Sequence, residues 1–600
     1  MIVEMAKTFV VARRADRENL LRALRRLGVL HVQPVDPDRA APDADTADLL
    51  DRLRRVIQIL EGAIPQGAAP NLSAIEAADQ VLRIQRTSAD RTNRLTALYR
   101  QIERLAPWGN VRMGQFQALR EAGIEPRFLA VPTNALDQVR AECVQPLGPW
   151  DAKRTLVAVV HRGGEIEAPD GAEDVPLPVR DRPSVQAEAK EIDAALKADA
   201  AELGRLANSL DAVRREQSRL EAHAEWVATT RSALEDEALF ALQGWVPAAE
   251  ADSLTARIAE EGVDAAVETA PPDADEAPPT LIQYPGWARP MKGLFDVLGT
   301  VPGYREFDVA AAFMMALPIF AAIMICDLGY GLVYTVLPIV FYKHLKAAGA
   351  ELIAQLVLVI GLMAMVWGVL ITSFFGFDIH DLVASVPGIG PAFADGPLIS
   401  VDMQKEHMEW LMWLSILIGA IHLTAAHLWR GLRQWPSLKM VGEVGWAVLF
   451  WGVYGLANTL LLKTPFTTVY WYLLIGGGAL AILFNSPSRN IFKAVGLGIA
   501  NFPLAAIGAF GDTMSYLRLM AIGLAGAALA VAFNDMASGV PWYGAIPILI
   551  LGHGLNVVLS VLSLLAHGVR LNMLEFSSNL GMEWSGHAYE PFSERSLEES

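Results

Sequence analysis

Hydrophobic positions along the 600 residues follow two regimes. Up to about residue 308 they are sparse and periodic; from Val309 to Leu574 they run almost continuously. In the first regime, alternation through Thr8 to Val11, a helical face of Leu20, Leu21, Leu24 and Leu27, a stop at Gly28 and the pair His31-Val32 predict strand, helix, strand. Leu49, Leu53, Val56, Ile57 and Leu60 mark a second helix, and Leu95, Leu98, Ile102 and Leu105 a third. From about Ser184 to Leu234 a single long helix is predicted, with a seam of Ile192, Leu196, Asp199, Leu203, Leu206, Leu210, Val213, Gln217 and Leu220 at alternating steps of four and three. That is a heptad with two polar interruptions, and a seam so narrow needs a partner helix. The stretch 81–105, running antiparallel, is the expected partner. Phe128 to Val131 and Leu156 to Val160 read as strands of a second α/β lobe, and Ala238 to Trp245 and Val263 to Val267 as a return through the first. Residues 270–280, APPDADEAPPT, read as an acidic, proline-rich linker.

In the second regime the apolar stretches are 309–342, 352–374, 409–428, 441–462, 468–484, 504–533 and 543–574. Each is near or above the ~20 residues that cross a bilayer. Asp327-Leu328-Gly329-Tyr330-Gly331 interrupts the first, which therefore splits in two and brings the expected count to eight. With the N-terminus inside, the inner loops then hold Lys343, Lys346, Arg430, Arg433, Lys439, Arg489 and Lys493, while the outer ones hold Asp327 and the acidic segment Asp378 to Glu406. This is the asymmetry that orients membrane proteins. The last two spans, about 30 residues each, exceed the core thickness and must tilt or protrude. The expected fold is thus an α-helical polytopic membrane protein carrying a cytoplasmic arm of α/β lobes on an antiparallel coiled coil. Its divisions are 1–270 (arm), 271–308 (linker), 309–576 (membrane) and 577–600 (cytoplasmic tail).

Charge sharpens that division. The net −17 comes from 66 acids and 49 bases, but 309–574 carries 11 of each, leaving the whole excess outside the membrane regime. No part has a strong basic excess, which excludes a nucleic-acid partner. Cys143 and Cys326 cannot form a disulfide framework, and the first twenty residues lack a signal peptide's apolar core, so the arm is expected to stay in the cytoplasm.

Two arginines fall inside spans: Arg518, mid-way through the seventh, and Arg570, in the inner part of the eighth. An arginine at mid-bilayer costs about 2.5–3.5 kcal/mol on insertion scales and so faces protein or water. On an α-helix neither Asp512, six residues from Arg518, nor Glu575, five from Arg570, is a natural partner, which points to a carboxylate from another subunit. Ser515 precedes the first arginine in the same span. His422 and His427 in the fourth span, Glu443 opening the fifth, and His553, Asn556, Ser560 and His567 in the eighth are further polar positions. Cavity lining and helix-helix hydrogen bonding explain them equally well. No carboxylate or cysteine completes a metal set with the two histidines. The sequence has no G-x-x-x-x-G-K-[ST] loop, nucleophile elbow or HExxH, so no cofactor or nucleotide chemistry is expected of this chain.

SYLRLMAIGLAGAALAVAFN (515–534), GHGLNVVLSVLSLLAHGVRLNMLEF (552–576) and the closing Tyr589-Glu590-Pro591-Phe592 resemble motifs of the membrane stator subunit of vacuolar- and archaeal-type rotary ATPases. That subunit is called a in eukaryotes and I in prokaryotes, as in V-type ATP synthase subunit I. CDLGYGL (326–332), WGVLITSFFGF (367–377) and LQGWVP (242–247) are weaker supports. The resemblance puts Arg518 on the family's essential arginine and Arg570 on its second. Cys326 stands where the family usually has glycine, Gly526 where eukaryotic members have histidine, and Ser560 where they have glutamate.

The resemblance implies a non-catalytic stator in a prokaryotic cell membrane, carrying H⁺ or Na⁺ past a rotating ring of subunits that each bear a carboxylate. It also implies peripheral-stalk subunits, a central-stalk adaptor and an ATP-hydrolysing head as partners. Arg518 and Arg570 then serve translocation, and His422, His427, Glu443, Asp512, Ser515, His553, Asn556, Ser560, His567 and Glu575 are candidate half-channel lining. The rival reading is a secondary transporter with a regulatory coiled coil, which calls for inverted repeats; no matching halves are visible.

Overall fold

The computed structural model describes residues 1–36, 39–160, 166–379, 405–484 and 491–594, without the side chains of 405–407, 491, 493, 494 and 497. Most of the acidic outer segment, together with Arg489 and the Lys493 side chain, lies outside the described residues.

The first lobe is built from both ends of the arm. Strand β1 (Met5–Arg13), helix α1 (Arg17–Leu27) and strand β2 (His31–Gln33) open it; β7 (Leu234–Glu235), β8 (Leu239–Pro247), the short α7 (Ala248–Ala251), α8 (Leu254–Glu260) and β9 (Ala265–Ala270) close it. The sheet order is β2-β8-β1-β9, with β7 beside β8, and its pairs are antiparallel. Leu20, Leu21 and Leu24 of α1 pack with Val10, Phe240, Leu242 and Val246 beneath. The second lobe holds β3 (Arg127–Pro132), β4 (Cys143–Pro149), β5 (Arg154–Val160) and β6 (Glu173–Asp174) in the order β4-β5-β3-β6.

Between the lobes run α2 (Ala44–Glu61), α3 (Ala74–Arg104), α4 (Met113–Glu121), α5 (Arg182–Leu206) and α6 (Leu210–Ser232). The α3–α5 pair is antiparallel: Gln80 meets Glu202, Ser88 meets Asp199, and Arg94 meets Glu188. The first polar interruption of the seam is satisfied, since Asp199 accepts from Ser88 at 2.7 Å and from Arg91 at 2.5 Å. The expected continuous helix 184–234 is instead two helices joined by a 3-10 turn at Ala207–Ser209. There Asn208 donates to the carbonyls of Gln66 and Gly67, docking the loop between α2 and α3, and beyond the turn α6 packs mainly on α2, with Val213 also reaching the α3 side of the same core. The acidic linker is not a free tether either. Lys7 pairs with Glu276, and Arg305 donates to the carbonyls of Asp273 and Ala274.

The membrane half comprises α9 (Pro290–Leu298), α10 (Ala310–Ile325), α11 (Leu328–Val340), α12 (Tyr342–Ala347), α13 (Glu351–Leu370), the hairpin β10 (Ser373–Phe374) and β11 (Phe377–Asp378), and then α14 (Lys405–Arg433), α15 (Lys439–Leu462), α16 (Thr468–Phe484), α17 (Ile491–Ser515), α18 (Leu517–Ser538), α19 (Trp542–Ser563) and α20 (Ser577–Leu580). Among the described residues five helical stretches are long and apolar enough to cross a membrane: Glu351–Leu370, Met408–Arg433, Lys439–Leu462, Gly498–Ser538 and Trp542–Leu580. Ala310–Ile325, Leu328–Val340 and Thr468–Phe484 are apolar but shorter.

The chain breaks between α10 and α11, where Cys326 is left-handed (φ 53°) and Asp327 extended. Glycines let α11 lie against α13 along its length, Gly331 beside Met365 and Gly361 beside Thr335. Asp327, expected in an outer loop, is buried, and four donors satisfy its carboxylate: Ser373 Oγ at 2.6 Å and the amides of Tyr330, Phe375 and Gly376 at 2.9–3.0 Å. It fastens the β10–β11 hairpin to the start of α11.

The last two stretches are 41 and 39 residues long, ~60 Å of helix each against a core of ~30 Å. They are also the least covered, with 22% and 11% of their apolar windows buried within the chain against 56% for Lys439–Leu462. Among the described residues a long apolar face of these stretches therefore stands largely without partners from this chain.

Beyond α20 the chain returns to the first lobe, which the sequence reading treated as separate from the tail. Thr280 and Ala588 form a bridge, Phe592 N donates to Leu30 O at 2.8 Å, and Glu594 N donates to Arg25 O at 3.1 Å. Phe592 is 2% exposed and belongs to the lobe's core, facing Trp226. Gly28 ends α1 in the left-handed conformation (φ 60°), and a β-carbon there would press on Ser593.

Candidate ion-translocation site

The two intramembrane arginines meet one carboxylate. Arg518 Nη2 donates to Glu575 Oε1 at 2.5 Å, and Arg570 Nε lies 3.6 Å from the same oxygen. Glu575 is 4% exposed, while the Arg518 and Arg570 side chains are 26% and 52% exposed. This corrects the expectation that neither arginine has a partner in its own chain. That expectation treated each helix as regular and alone, and both assumptions fail.

The first departure lies between α17 and α18. Thr513 and Ser515 turn their hydroxyls back onto the carbonyls of Ala509 and Gly511, a habit that bends helices. Tyr516 and Leu519 then bond three residues back rather than four. The break frees the Ser515 carbonyl, which accepts from Arg518 Nε at 3.0 Å. Arg518 thus stands at the start of α18, yet twenty residues from either end of the stretch Gly498–Ser538. The second departure lies in the last helix, where Leu564–Gly568 and Leu571–Phe576 are π-helical. A π turn bonds residues five apart, so Glu575 stacks one turn from Arg570.

On one side of this triad lies a polar chain across four helices. Asn579 Nδ2 donates to Asp512 Oδ2 (2.8 Å) and to the Glu575 carbonyl (2.6 Å), and its Oδ1 is 3.1 Å from His427 Nε2. His427 Nδ1 is 2.7 Å from Glu443, whose other oxygen faces Arg430 Nε at 3.2 Å. His422 leaves His427 and joins Tyr516 at 2.7 Å, stacked on Phe576. The two histidines therefore share no ligand, and among the described residues no three His, Cys, Asp or Glu side chains converge on a metal position.

A second polar cluster lies further along α18, starting eight residues or ~12 Å from Arg518. Asn556 Nδ2 donates to the Gly526 carbonyl and to Tyr330 Oη, both at 2.9 Å. His553 lies between Tyr330 Oη (2.7 Å) and Asn534 Oδ1 (3.1 Å), and Asn534 Nδ2 donates to the Phe375 carbonyl. Ser560 bonds back to its own helix at Asn556, and His567 lies half-buried in the π segment. The sequence reading did not single out Tyr330, Asn534 or Tyr516, although each sits in a motif it used. It also missed Asn579, which is four residues from Glu575 and so on its face.

A membrane protein with a two-lobed arm, two overlong and uncovered helices, and an arginine pair at their contact is the class these features define. No family model matches the chain. Its curated homologues are subunit I of V- and A-type ATP synthases. The V-type ATP synthase subunit I 1 of Treponema pallidum is 27% identical over 99% of this chain and 100% of its own length. The A-type ATP synthase subunit I of Methanocaldococcus jannaschii is 28% identical over 63% of this chain and 57% of its own. Among solved structures, the cytoplasmic N-terminal domain of a V-ATPase subunit I is similar over 44% of this chain and 100% of that one, at 18% identity and a TM-score of 0.19.

Proposed function

We propose that this chain is the non-catalytic membrane stator of a rotary V/A-type ATPase, carrying H⁺ or Na⁺ past a ring of carboxylate-bearing subunits in a prokaryotic cell membrane. The observation that carries the reading is the position of Arg518. It stands mid-way along an overlong, largely uncovered helix, between two polar clusters that no hydrogen bond joins among the described residues. The cluster of Arg430, Glu443, His427, Asn579 and Asp512 lies toward the arm, since Arg433, on the same helix, bonds the carbonyls of Arg305 and Glu306. That of Tyr330, His553, Asn556 and Asn534 lies away from it. These are the linings of an inner and an outer half-channel.

The physics follows from a charge that cannot be neutralised. A fixed guanidinium favours the ionised form of a carboxylate passing within ~4–6 Å, so a loaded rotor site must release its ion before reaching it. The same charge repels a bare cation seeking to cross from one cluster to the other. Each ion returning down the gradient releases ~2.3 kcal/mol per 100 mV, harvested as rotation only when that leak is closed.

Eight crossings fit this reading. Phe592 in the core of the first lobe supports an even number of crossings, since it puts the segment after the last apolar helix beside the segment before the first. Among the described residues five long and three short apolar helices are compatible with eight. The arm is then cytoplasmic, its lobes offering attachment to peripheral-stalk subunits, and the 577–594 tail is functionally part of it.

The test is Arg518→Gln in the assembled complex. ATP-driven ion pumping is expected to vanish while the subunit complement on native gels is unchanged; normal pumping would sink the reading.

A further inference from the structure

The triad holds two guanidiniums and one carboxylate, one negative charge short of pairing. Glu575 Oε1 serves both arginines, and among the described residues Oε2 is buried without a hydrogen-bond partner. A buried carboxylate oxygen left idle costs about 1–3 kcal/mol, and a half-shared oxygen satisfies neither arginine fully. Both deficits disappear if a second carboxylate binds Arg518 and Glu575 turns wholly to Arg570.

We propose that Glu575 is an exchangeable counter-ion. It covers Arg518 when no rotor carboxylate is present, and yields to an arriving one by moving to Arg570. This rests on the stator reading above and assigns the second arginine a task, that of receiving the displaced carboxylate. No bond is made or broken and net charge is conserved: the exchange trades one ion pair for another. Glu575 is a positioning residue, acting through Arg518 on the rotor site. Its neighbours are already engaged. Asp512 is held by Asn579, His427 by Glu443 and Asn579, and His422 and Tyr516 by each other.

Competition makes a signed prediction. Without Glu575, Arg518 grips the rotor carboxylate more tightly and that group re-protonates less readily. In Glu575→Gln the alkaline limb of ATP-driven proton pumping is expected to move to lower pH by about one unit, with pumping retained. In Arg570→Gln, Glu575 has nowhere to go and stays on Arg518, so the limb moves to higher pH. The double variant is expected to follow Glu575→Gln alone, whereas independent charges would give shifts that cancel.

The measurement is acidification of vesicles holding the reconstituted whole complex, from pH 5.5 to 9, with ATP hydrolysis followed in parallel. An unshifted limb in an assembled Glu575→Gln complex, cancelling shifts in the double variant, or loss of pumping at every pH would each overturn the exchange; the last would make Glu575 a conduit. If Glu575→Gln fails to assemble, Arg570→Gln decides alone, and an unshifted or acid-shifted limb refutes the proposal. Arg518→Gln runs beside them. Normal pumping there removes the stator reading itself, while its loss with an unshifted Glu575→Gln limb removes only the counter-ion.

Discussion

Truncating Phe592 to alanine tests whether the tail is held by the lobe. The ring is 2% exposed among Val10, Leu24, Leu30 and Trp226, and Arg25 lies 5.9 Å from its centroid. Phenylalanine-to-alanine changes in cores cost about 3–5 kcal/mol. A surface strap relaxes more than a core does, so the lower end, about 3 kcal/mol, is the appropriate figure. The flanking bonds from Phe592 N to Leu30 O and from Glu594 N to Arg25 O contribute about 0.5–1.5 kcal/mol each and stay in place only while the strap is docked. At 1.4 kcal/mol per decade, the population of the undocked tail should rise about a hundredfold. The assay is amide hydrogen exchange on the full-length protein in detergent. Peptides covering 588–594 are expected to lose about two decades of protection, with those of β1 and β8 little changed. Unaltered protection at 588–594 would mean that the ring does not hold the tail, and would withdraw the parity argument for an even number of crossings.

Three further outcomes are expected. Arg518→Lys should fail in pumping as Arg518→Gln does, because an amine can lose its proton in a poorly solvated site. His31 is held below its ordinary pKa, mainly by burial and further by nearby His587, although the Glu590 carbonyl and charge pull the other way. The undocked state therefore binds more protons, docking is stronger at high pH, and tail protection, corrected for intrinsic exchange, should fall as pH drops below about 6.5. Asp199→Leu combined with Arg91→Leu, which completes the leucine seam and leaves no lone charge, should raise the stability of the α3–α5 pair by about 1 kcal/mol in urea-dependent exchange. It should also permit disulfide trapping between cysteine pairs placed one heptad out of register.

Much of this architecture was legible because bilayer and coiled coil each impose one strong rule. Continuous apolarity marked the membrane half, and the four-three spacing from Ile192 to Leu220 marked the seam and its antiparallel partner. Arg518 stood out because charge is so costly there. What stayed hidden depends on departures from regular geometry or on contacts distant in sequence. Spacing rules set Glu575 off the face of Arg570 because they assume backbone bonds between residues four apart, and the π segment bonds residues five apart. Its contact with Arg518 spans 57 residues, beyond any periodicity. The break at Ala207–Ser209 leaves the heptad count intact and so does not disturb the pattern. Phe592 sits in a short polar tail, and nothing local says that a core 560 residues away awaits it.

The half-buried acid in the coiled coil also bears on how the arm keeps its length. A seam of leucines alone permits a slip of one heptad, ~10 Å, with side chains still nested in equivalent holes. Asp199 forbids that step, since any other register parts it from Arg91 and Ser88 and strands a carboxylate against aliphatic side chains. The arm is therefore a rod of fixed length, its one helix junction braced where Asn208 meets the loop at Gln66–Gly67. One carboxylate thus sets the distance between the two lobes, because sliding α3 along α5 would cost its pairing with Arg91 and Ser88.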